Sequence, residues 1–273
     1  MLIGNREFDV AHHTYVFGIL NVTPDSFSDG GKWNGLDQAL YHVESMLKEG
    51  MDVVDVGGES TRPGYVKITP EEEISRVVPV IRAIRERFDV PISLDTYKAD
   101  VAKAGIEAGA DLINDIWGLK ADARMAQVIS EGKVACCLMH NRDEANYKAF
   151  LPDVLKDLEE CLLLAKEAGI PREKIMIDPG VGFGKTYENN LEVIARLEDF
   201  QVFGLPVLLG TSRKSVIGLT LDLPANQREE GTLVTTVMAV MKGISFVRVH
   251  DVEKNVRAIK MAEAIMEMGR TIR

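Results

Sequence analysis

The sequence contains few of the residues that stabilise small secreted domains or bind nucleic acids. It has three cysteines among 273 residues, Cys136, Cys137 and Cys161, and an odd count with two adjacent members does not make a disulfide framework. Lys and Arg total 32 against 42 Asp and Glu, and the resulting net charge of −10 disfavours general nucleic-acid binding. These features predict a reduced, cytoplasmic environment.

Long hydrophobic runs are also absent. No apolar segment approaches the roughly 20 residues of a membrane span. The first residues include Arg6 and Glu7 and lack the apolar core of a signal peptide. The composition, 46% hydrophobic and 27% charged, is ordinary for a globular protein. We therefore expect small-molecule ligands and neither a membrane nor a nucleic-acid partner.

Short apolar runs alternate along the whole chain with longer segments of helical periodicity. Each run is continuous rather than interrupted by polar residues, which is typical of parallel strands buried on both faces. The eight runs are Val16–Leu20, Val53–Val56, Ile92–Leu94, Leu112–Ile113, Val134–Met139, Ile175–Ile177, Val207–Leu209 and Phe246–Val249.

The segments between these runs predict helices. The best defined one follows Thr69, an N-cap residue with Pro70 at the first helical position and Glu72 three residues on, which predicts a capping box. Gly169 is expected to stop another helix. The predicted helices are Leu36–Lys48, Pro70–Arg87, Lys98–Glu107, Ala123–Ser130, Val154–Ala168, Glu188–Leu197, Gln227–Met241 and Val252–Met268.

Eight strand-then-helix units without an intervening linker predict one α/β domain over residues 1–273. A chain of this length and order favours a (β/α)8 TIM barrel. An open, doubly wound parallel sheet is the alternative, because short strands are easily miscounted.

Polar residues follow every predicted strand. In a (β/α) barrel these positions meet at one mouth, where active sites lie. Asp95, Asn114 and Asp178 would place acceptors and an amide there. A carboxylate in a dry pocket recognises an N–C(NH₂)–N edge with two hydrogen bonds, which suits a heterocycle such as a pterin.

Cationic side chains lie near or after the ends of the last two predicted strands. Lys214, Arg248 and His250 are suited to phosphate, and Arg248 could also stack on a flat ring. Asn21, after the first strand, offers a neutral oxygen that suits a magnesium ion carried by phosphates. The long loops Val22–Asn34 and Gly57–Lys67 are predicted to cover the mouth.

Seven motifs, in this order, make the sequence similar to the dihydropteroate synthase family over nearly its whole length. They are NVTPDSFSDGG from Asn21, GGESTRPG from Gly57, SLDT from Ser93, Asn114-Asp115, DPGVGFGK from Asp178, GTSRKS from Gly210 and RVHDV from Arg248.

The resemblance implies a (β/α)8 barrel and a reaction. The enzyme would condense 6-hydroxymethyl-7,8-dihydropterin pyrophosphate with p-aminobenzoate, releasing pyrophosphate and giving 7,8-dihydropteroate for folate biosynthesis. It further implies Mg²⁺ as cofactor, with Asn21 as its protein ligand, and a homodimer formed through helices late in the chain. Sulfonamides mimic p-aminobenzoate in this family.

The same resemblance assigns the site residues. The pterin pocket would comprise Asp95, Asn114, Met139, Asp178, Lys214 and Arg248. Pyrophosphate would contact Asn21, Thr61, Arg62, Arg248 and His250. The p-aminobenzoate site would be formed by Phe27, Thr61, Pro63, Phe183, Lys214 and Ser215. The catalytic residues would be Asp29, near the cationic centre, with Lys214, Arg248 and His250.

One segment departs from the commonest family pattern. After the fifth strand the chain reads Met139-His140-Asn141-Arg142-Asp143, where the family often continues Met-His-Met. This leaves the role of His140 open, while Met139 is retained as a pterin contact.

Two other functions remain as alternatives. One is a pterin-binding methyltransferase domain that presents methyltetrahydrofolate to a corrinoid protein, and the other is a non-catalytic pterin-binding barrel. The first has no use for the phosphate-binding cations Arg62, Arg248 and His250 or for two long closing loops. Against the second, every assigned site residue is of the expected type, so the sequence favours the synthase.

Overall fold

The chain forms a barrel of parallel strands enclosed by helices. The computed structural model describes residues 1–22, 32–60 and 67–271. A short antiparallel hairpin, β1 (Leu2–Ile3) and β2 (Arg6–Glu7), precedes the barrel. The barrel strands are β3 (Tyr15–Asn21), β4 (Val53–Gly57), β5 (Ile92–Asp95), β6 (Leu112–Asp115), β7 (Ala135–Met139), β8 (Ile175–Asp178), β9 (Leu208–Gly210) and β10 (Phe246–Val249).

The strand order shows that the barrel closes. The sheet runs β8-β7-β6-β5-β4-β3-β10-β9 with every neighbouring pair parallel. A parallel bridge between Ile177 of β8 and Val207, the residue before β9, joins the two ends of this order. The predicted (β/α)8 barrel is therefore confirmed, and the alternative prediction of an open sheet is wrong.

Eight of the nine described helices correspond to predicted ones; the helix Pro70–Arg87 has the predicted ends and the ends of the others are shifted. None of them is both long and apolar enough to cross a membrane. They are α1 (Lys32–Glu49), α2 (Pro70–Arg87), α3 (Ala99–Ala108), α4 (Met125–Gly132), α5 (Phe150–Glu167), α6 (Tyr187–Ala195), α7 (Ser215–Leu221), α8 (Glu229–Met241) and α9 (Val252–Thr271).

Two differences from the predicted helices affect the mouth of the barrel. Helix α1 begins at Lys32, so the first long loop ends before Asn34, where it was expected to end. Helix α7 was not predicted, and it begins immediately after Lys214. A helix of seven residues is too short to show a clear helical period in the sequence.

The predicted capping box at Thr69 is only half formed. The Thr69 side chain accepts a hydrogen bond from the Glu72 N–H at 3.2 Å, which is the expected N-cap contact. The Glu72 carboxylate, however, pairs with Arg76 at 2.5 Å, one turn further along α2. An ion pair at i,i+4 on the helix surface thus replaces the reciprocal contact of the box.

Two separate apolar clusters account for the continuous apolar runs. Outward-facing strand residues such as Val54, Leu94 and Ile113 pack against the helices in one cluster. Inward-facing residues such as Phe17 and Leu112 fill the barrel in a second cluster. Since alternate strand residues point to opposite faces, both sets must be apolar wherever the barrel is filled.

The hairpin closes the amino-terminal end of the barrel. Ile3 and Phe8 belong to the interior cluster and are 0% and 1% exposed. The Phe8 ring makes edge contacts with Tyr15 at 4.9 Å and Phe246 at 5.6 Å between centroids. Side chains therefore fill the amino-terminal end of the barrel, which leaves the carboxyl-terminal end for a ligand.

This arrangement predicts that Phe8 stabilises the barrel. Replacement of a buried Phe by Ala removes its apolar burial and leaves a cavity, so we expect Phe8→Ala to lower the free energy of unfolding by about 3–5 kcal/mol. Leu2→Ala, in the same hairpin but 52% exposed, should lower it far less. Denaturant unfolding measures both, and equal losses would show that Phe8 is not part of the core.

Candidate functional site

The barrel interior changes from apolar to polar along its axis. On several strands, a polar inward-facing residue near the carboxyl end lies two residues after an apolar one. Phe246 is thus followed by Arg248, and Leu112 by Asn114. Asn21, Gly57, Asp95 and Asn114 stand side by side on four consecutive strands. The predicted strand-end residues therefore meet at one mouth.

A partly buried guanidinium ties three strands together at this mouth. Arg248 of β10 donates from Nε to Asp55 Oδ2 at 2.5 Å and from Nη2 to Asp95 Oδ2 at 2.7 Å. Asp55 also accepts the Ser93 hydroxyl on its other oxygen at 2.5 Å. These bonds fix the plane of the guanidinium and use both oxygens of Asp55.

Asp55 was not predicted as a site residue, although it precedes one of the mouth positions. It is one of two charged residues within the apolar strand runs, Arg248 being the other, and it is 0% exposed. A charged side chain that is fully buried needs a partner of opposite charge. That signal was present in the sequence, but the partner, Arg248, lies 193 residues away.

Asp95 keeps one oxygen for a ligand. Its Oδ1 is buried and has no hydrogen-bond partner among the described residues. Burial raises the pKa of this carboxyl to about 7, and Arg248 offsets only part of that cost. A buried acceptor without a donor is costly, so a ligand with an N–H group at this point would be bound favourably.

Asp178 and Lys214 face each other across the mouth. Asp178 Oδ2 and Lys214 Nζ each lie 3.7 Å from the point where a Cβ on Gly210 would be, so the glycine leaves them room. Burial lowers the pKa of Lys214 to about 8 and raises the pKa of Asp178. The other oxygen of Asp178 accepts the Gly180 N–H at 2.7 Å.

Lys214 also contacts the loop that follows β8. Its ammonium donates to the Val181 carbonyl at 2.5 Å and lies 4.7 Å from the centroid of the Phe183 ring. The predicted neighbours Phe183 and Lys214 are thus brought together. Ser215 is exposed at the first position of α7, directly beside them in the chain.

The loops after β9 and β10 are joined by two pairs of contacts. Ser212 Oγ lies 2.9 Å from His250 Nδ1 and accepts the His250 backbone N–H at 3.2 Å. Arg213 donates from two nitrogens to Asp251, at 2.6 and 3.1 Å. These contacts join the two segments that carry Lys214 and His250, which the sequence placed in one site.

His140 does not line the mouth. It is 1% exposed, and its ring bridges Asp157 and Lys185, at 3.1 Å from Nε2 and 2.7 Å from Nδ1. Met139, one residue earlier, is buried at the end of β7 beside Asp178 of β8. The retained assignment of Met139 to the pocket wall thus agrees with its place in the register.

Asn21 is the residue at the mouth assigned to a magnesium ion, and its side-chain oxygen is neutral. Asn21 Oδ1 lies 3.7 Å from the point where a Cβ on Gly57 would be, and Asp95 Oδ2 lies 3.8 Å from that point. Within the described ranges, no group of three or more His, Cys, Asp or Glu is arranged to hold a metal. This donor set fits an ion that takes most of its oxygen ligands from phosphates.

Five predicted site residues lie outside the described residues. They belong to the two long loops and are Phe27, Asp29, Thr61, Arg62 and Pro63.

Known proteins resemble this chain over nearly its whole length. Residues 17–250 match the family of pterin binding enzymes. A dihydropteroate synthase of Clostridium beijerinckii is 59% identical, with 97% of this chain and 99% of the relative covered. The structure of a dihydropteroate synthase from Clostridium difficile, solved in the presence of pteroic acid, has a TM-score of 0.93 at 48% identity and covers 95% of this chain and 99% of that one.

A third similar protein has a structure with a bound drug. The Yersinia pestis dihydropteroate synthase, in a complex with a sulfonamide drug, has a TM-score of 0.91 and 40% identity, and covers 98% of this chain and 99% of that chain.

Asp95 Oδ1, which has no partner in the part of the chain that the structure describes, predicts a gain in stability when the charge of this carboxylate is removed. The pKa of this carboxyl rises on folding from an ordinary value of 3.8 to about 7. Its contribution to stability is therefore present below pH 4 and lost as the pH rises through 7. We expect Asp95→Asn to raise the Tm at pH 8 by about 2–4 °C, and by less at pH 5.5.

Asp55→Asn is the matched control for this prediction. Both oxygens of Asp55 accept hydrogen bonds, so an amide there leaves Arg248 or Ser93 without an acceptor and should lower the Tm at both pH values. Calorimetry at pH 5.5 and 8 measures all three proteins. A lower Tm for Asp95→Asn at pH 8 would contradict the argument.

Proposed function

Because the chain belongs to the dihydropteroate synthase family of pterin-binding transferases, we propose that it joins 6-hydroxymethyl-7,8-dihydropterin pyrophosphate to p-aminobenzoate. The products would be 7,8-dihydropteroate and pyrophosphate. The observation that carries this proposal is the buried acceptor of Asp95 at the same barrel mouth as Asp178 and Lys214.

A pterin suits this end of the barrel. Its N–C(NH₂)–N edge presents donors in a row, and the unpartnered Asp95 Oδ1 and the carboxylate of Asp178 are the acceptors available to them. Asn114 is 4% exposed on the strand between β5 and β7, where an amide can meet the remaining ring atoms. Lys214 would donate to a ring acceptor.

Arg248 is suited to stacking on the pterin ring. Its Nε and one Nη are already engaged by two carboxylates, which fix the guanidinium plane. A fixed plane presents a flat, cationic face to an aromatic ring. The structure therefore favours stacking over a bidentate clamp of the pyrophosphate as the main role of Arg248.

The proposed reaction is a dissociative displacement. The bond between the methylene carbon and the pyrophosphate oxygen breaks, its electron pair leaves with pyrophosphate, and the amine nitrogen bonds to the carbon and releases a proton. An aryl amine is neutral at pH 7, so no strong base is needed. The main catalytic task is to stabilise the charge on the leaving group.

Asn21, Arg248 and His250 are the described residues assigned to that task. Ser212 holds the ring of His250 beside the loop after β9, and Asn21 would supply the protein oxygen for Mg²⁺. When bound, the ion would neutralise charge on the phosphates. Arg62, Thr61 and Asp29 complete the assignment in the loops outside the described residues.

A second copy of the chain is the proposed partner of helices α7, α8 and α9. Each of these neighbouring helices exposes large apolar side chains, a pattern that marks interaction surfaces when the residues are grouped. They are Leu219 and Leu221 on α7, Val234 and Met241 on α8, and Met261, Ile265 and Met268 on α9. This agrees with the homodimer expected through late helices.

The function is tested by product formation. We expect dihydropteroate and pyrophosphate only when the purified protein receives the pterin pyrophosphate, p-aminobenzoate and Mg²⁺ together. Tight binding of a pterin without turnover would contradict the proposed reaction. Methyl transfer from methyltetrahydrofolate to a corrinoid protein would then be measured, because it separates the two alternatives.

The pocket is tested by Lys214→Ala and Asp178→Ala. Each variant removes one of the charged groups that the proposal places against the pterin ring, so we expect pterin affinity to fall by about a hundredfold or more in each variant. Isothermal titration calorimetry with a bare pterin measures this. Lys254→Ala, which removes a surface lysine paired with Glu229, is the control, and retained affinity in either test variant contradicts the assignment.

The dimer is tested by introducing charge on the exposed helices. Val234→Glu and Ile265→Glu should each convert a dimer into a monomer, since a buried carboxylate at an apolar interface is costly. Light scattering coupled to size exclusion measures the mass. Leu163→Glu, at an exposed leucine of α5, should leave the dimer intact, and a monomeric wild-type protein would overturn the proposal.

A further inference from the structure

Lys185 lies behind the loop that follows β8 and contacts it from within. This loop, residues 179–185, is called the β8 loop here. The ammonium of Lys185 donates to the carbonyls of Gly180 at 2.8 Å and Phe183 at 3.0 Å, and it lies 2.7 Å from His140 Nδ1. Three donors thus meet three acceptors, and two of the acceptors are backbone atoms of the loop itself.

The loop can gather its carbonyls around Lys185 because of its glycines. Gly180, Gly182 and Gly184 have positive φ values of 70°, 86° and 54°. A Cβ on Gly180 would collide with the His140 carbonyl, and one on Gly184 would collide with the backbone of Arg142. The β8 loop therefore rests directly on the segment that follows β7.

His140 and Asp157 hold Lys185 in place. Asp157 Oδ2 lies 3.1 Å from His140 Nε2 and accepts from Arg142 Nε at 2.6 Å. A carboxylate at Nε2 and an ammonium at Nδ1 together fix the neutral tautomer with its proton on Nε2. Burial and the charge of Lys185 lower the pKa of His140 to about 3, which keeps that tautomer across the physiological range.

The opposite side of the β8 loop faces the mouth. There the Val181 carbonyl accepts from Lys214, and the Phe183 ring lies beside the same ammonium. The loop is thus held between two lysines. Lys214 is at the pocket, whereas Lys185 contacts only the loop and the residues behind it in the bonds described above.

We propose that Lys185 is a positioning residue that sets the aryl-amine side of the pocket by fixing the β8 loop, with His140 and Asp157 as its support. This rests on the proposed function, since it takes Phe183 as a wall of the p-aminobenzoate site. The pterin side depends mainly on Asp95, Asn114 and Asp178, which are on strands. The loop contributes to that side through the Gly180 N–H, which donates to Asp178, and the Val181 carbonyl, which accepts from Lys214. The two substrates should therefore respond differently to the loss of Lys185.

The test is Lys185→Met, which keeps most of the length of the side chain and removes its donors. We expect the KM for p-aminobenzoate to rise by about tenfold, the size typical of losing one hydrogen bond to a charged group. The KM for the pterin pyrophosphate should change by less than about threefold. Lys120→Met is the control, because Lys120 donates to the Asp157 carbonyl and to Glu160 without touching the β8 loop.

A second measurement does not depend on turnover. Nitrogen-15 NMR of histidine-labelled protein reports the tautomer and titration of His140. In Lys185→Met the imidazole loses the cation at Nδ1 while Asp157 remains at Nε2, so its pKa should rise. In the wild type and in Lys120→Met the ring should stay neutral down to the lowest pH at which the protein is folded.

The outcomes are distinct. Equal increases in both KM values, or unchanged values in a folded variant, would overturn the positioning role. An unchanged His140 titration in Lys185→Met would overturn the contact on which it rests. Absence of turnover in the wild type with the expected NMR change would contradict the proposed function and leave the Lys185–His140 contact established.

Discussion

A cation held between two carboxylates is the constraint on which the mouth depends. Arg248 projects from β10 and reaches past β3 to the buried Asp55 on β4 and to Asp95 on β5, and a buried carboxylate requires such a partner. Asp55 gives both oxygens to protein donors, whereas Asp95 gives one and retains the other. The same interaction that holds three strands in register therefore leaves one acceptor directed at a ligand.

The two ends of the barrel have opposite effects on stability. At the amino-terminal end, Phe8, Phe17 and Phe246 bury apolar surface and make ring contacts. At the carboxyl end, the raised pKa of Asp95 and the lowered pKa of Lys214 show that burial opposes both charges. The filled end and the outer helices thus supply most of the stability. The charges at the mouth, which the site requires, lower it.

The sequence was sufficient to predict the strands and the mouth, because both depend on local patterns. Apolar runs mark strands buried on two faces, and polar residues after them mark the open end. Asp55 was missed as a site residue because its partner is distant in the chain. The Lys185–His140 contact was missed for the same reason, since nothing local links residues 45 positions apart. At Thr69 the local pattern was right about the cap, but Arg76 competes for the Glu72 carboxylate.

The glycines of the β8 loop limit how this enzyme can vary. Any side chain at Gly180 or Gly184 would collide with backbone atoms, and both residues have left-handed φ values that other residues adopt at a cost. A compound that contacted the backbone of this loop would meet positions at which few substitutions are compatible with folding. Resistance by mutation at those positions would consequently cost the protein its own stability, whereas a compound that contacted exposed side chains would face no such restriction.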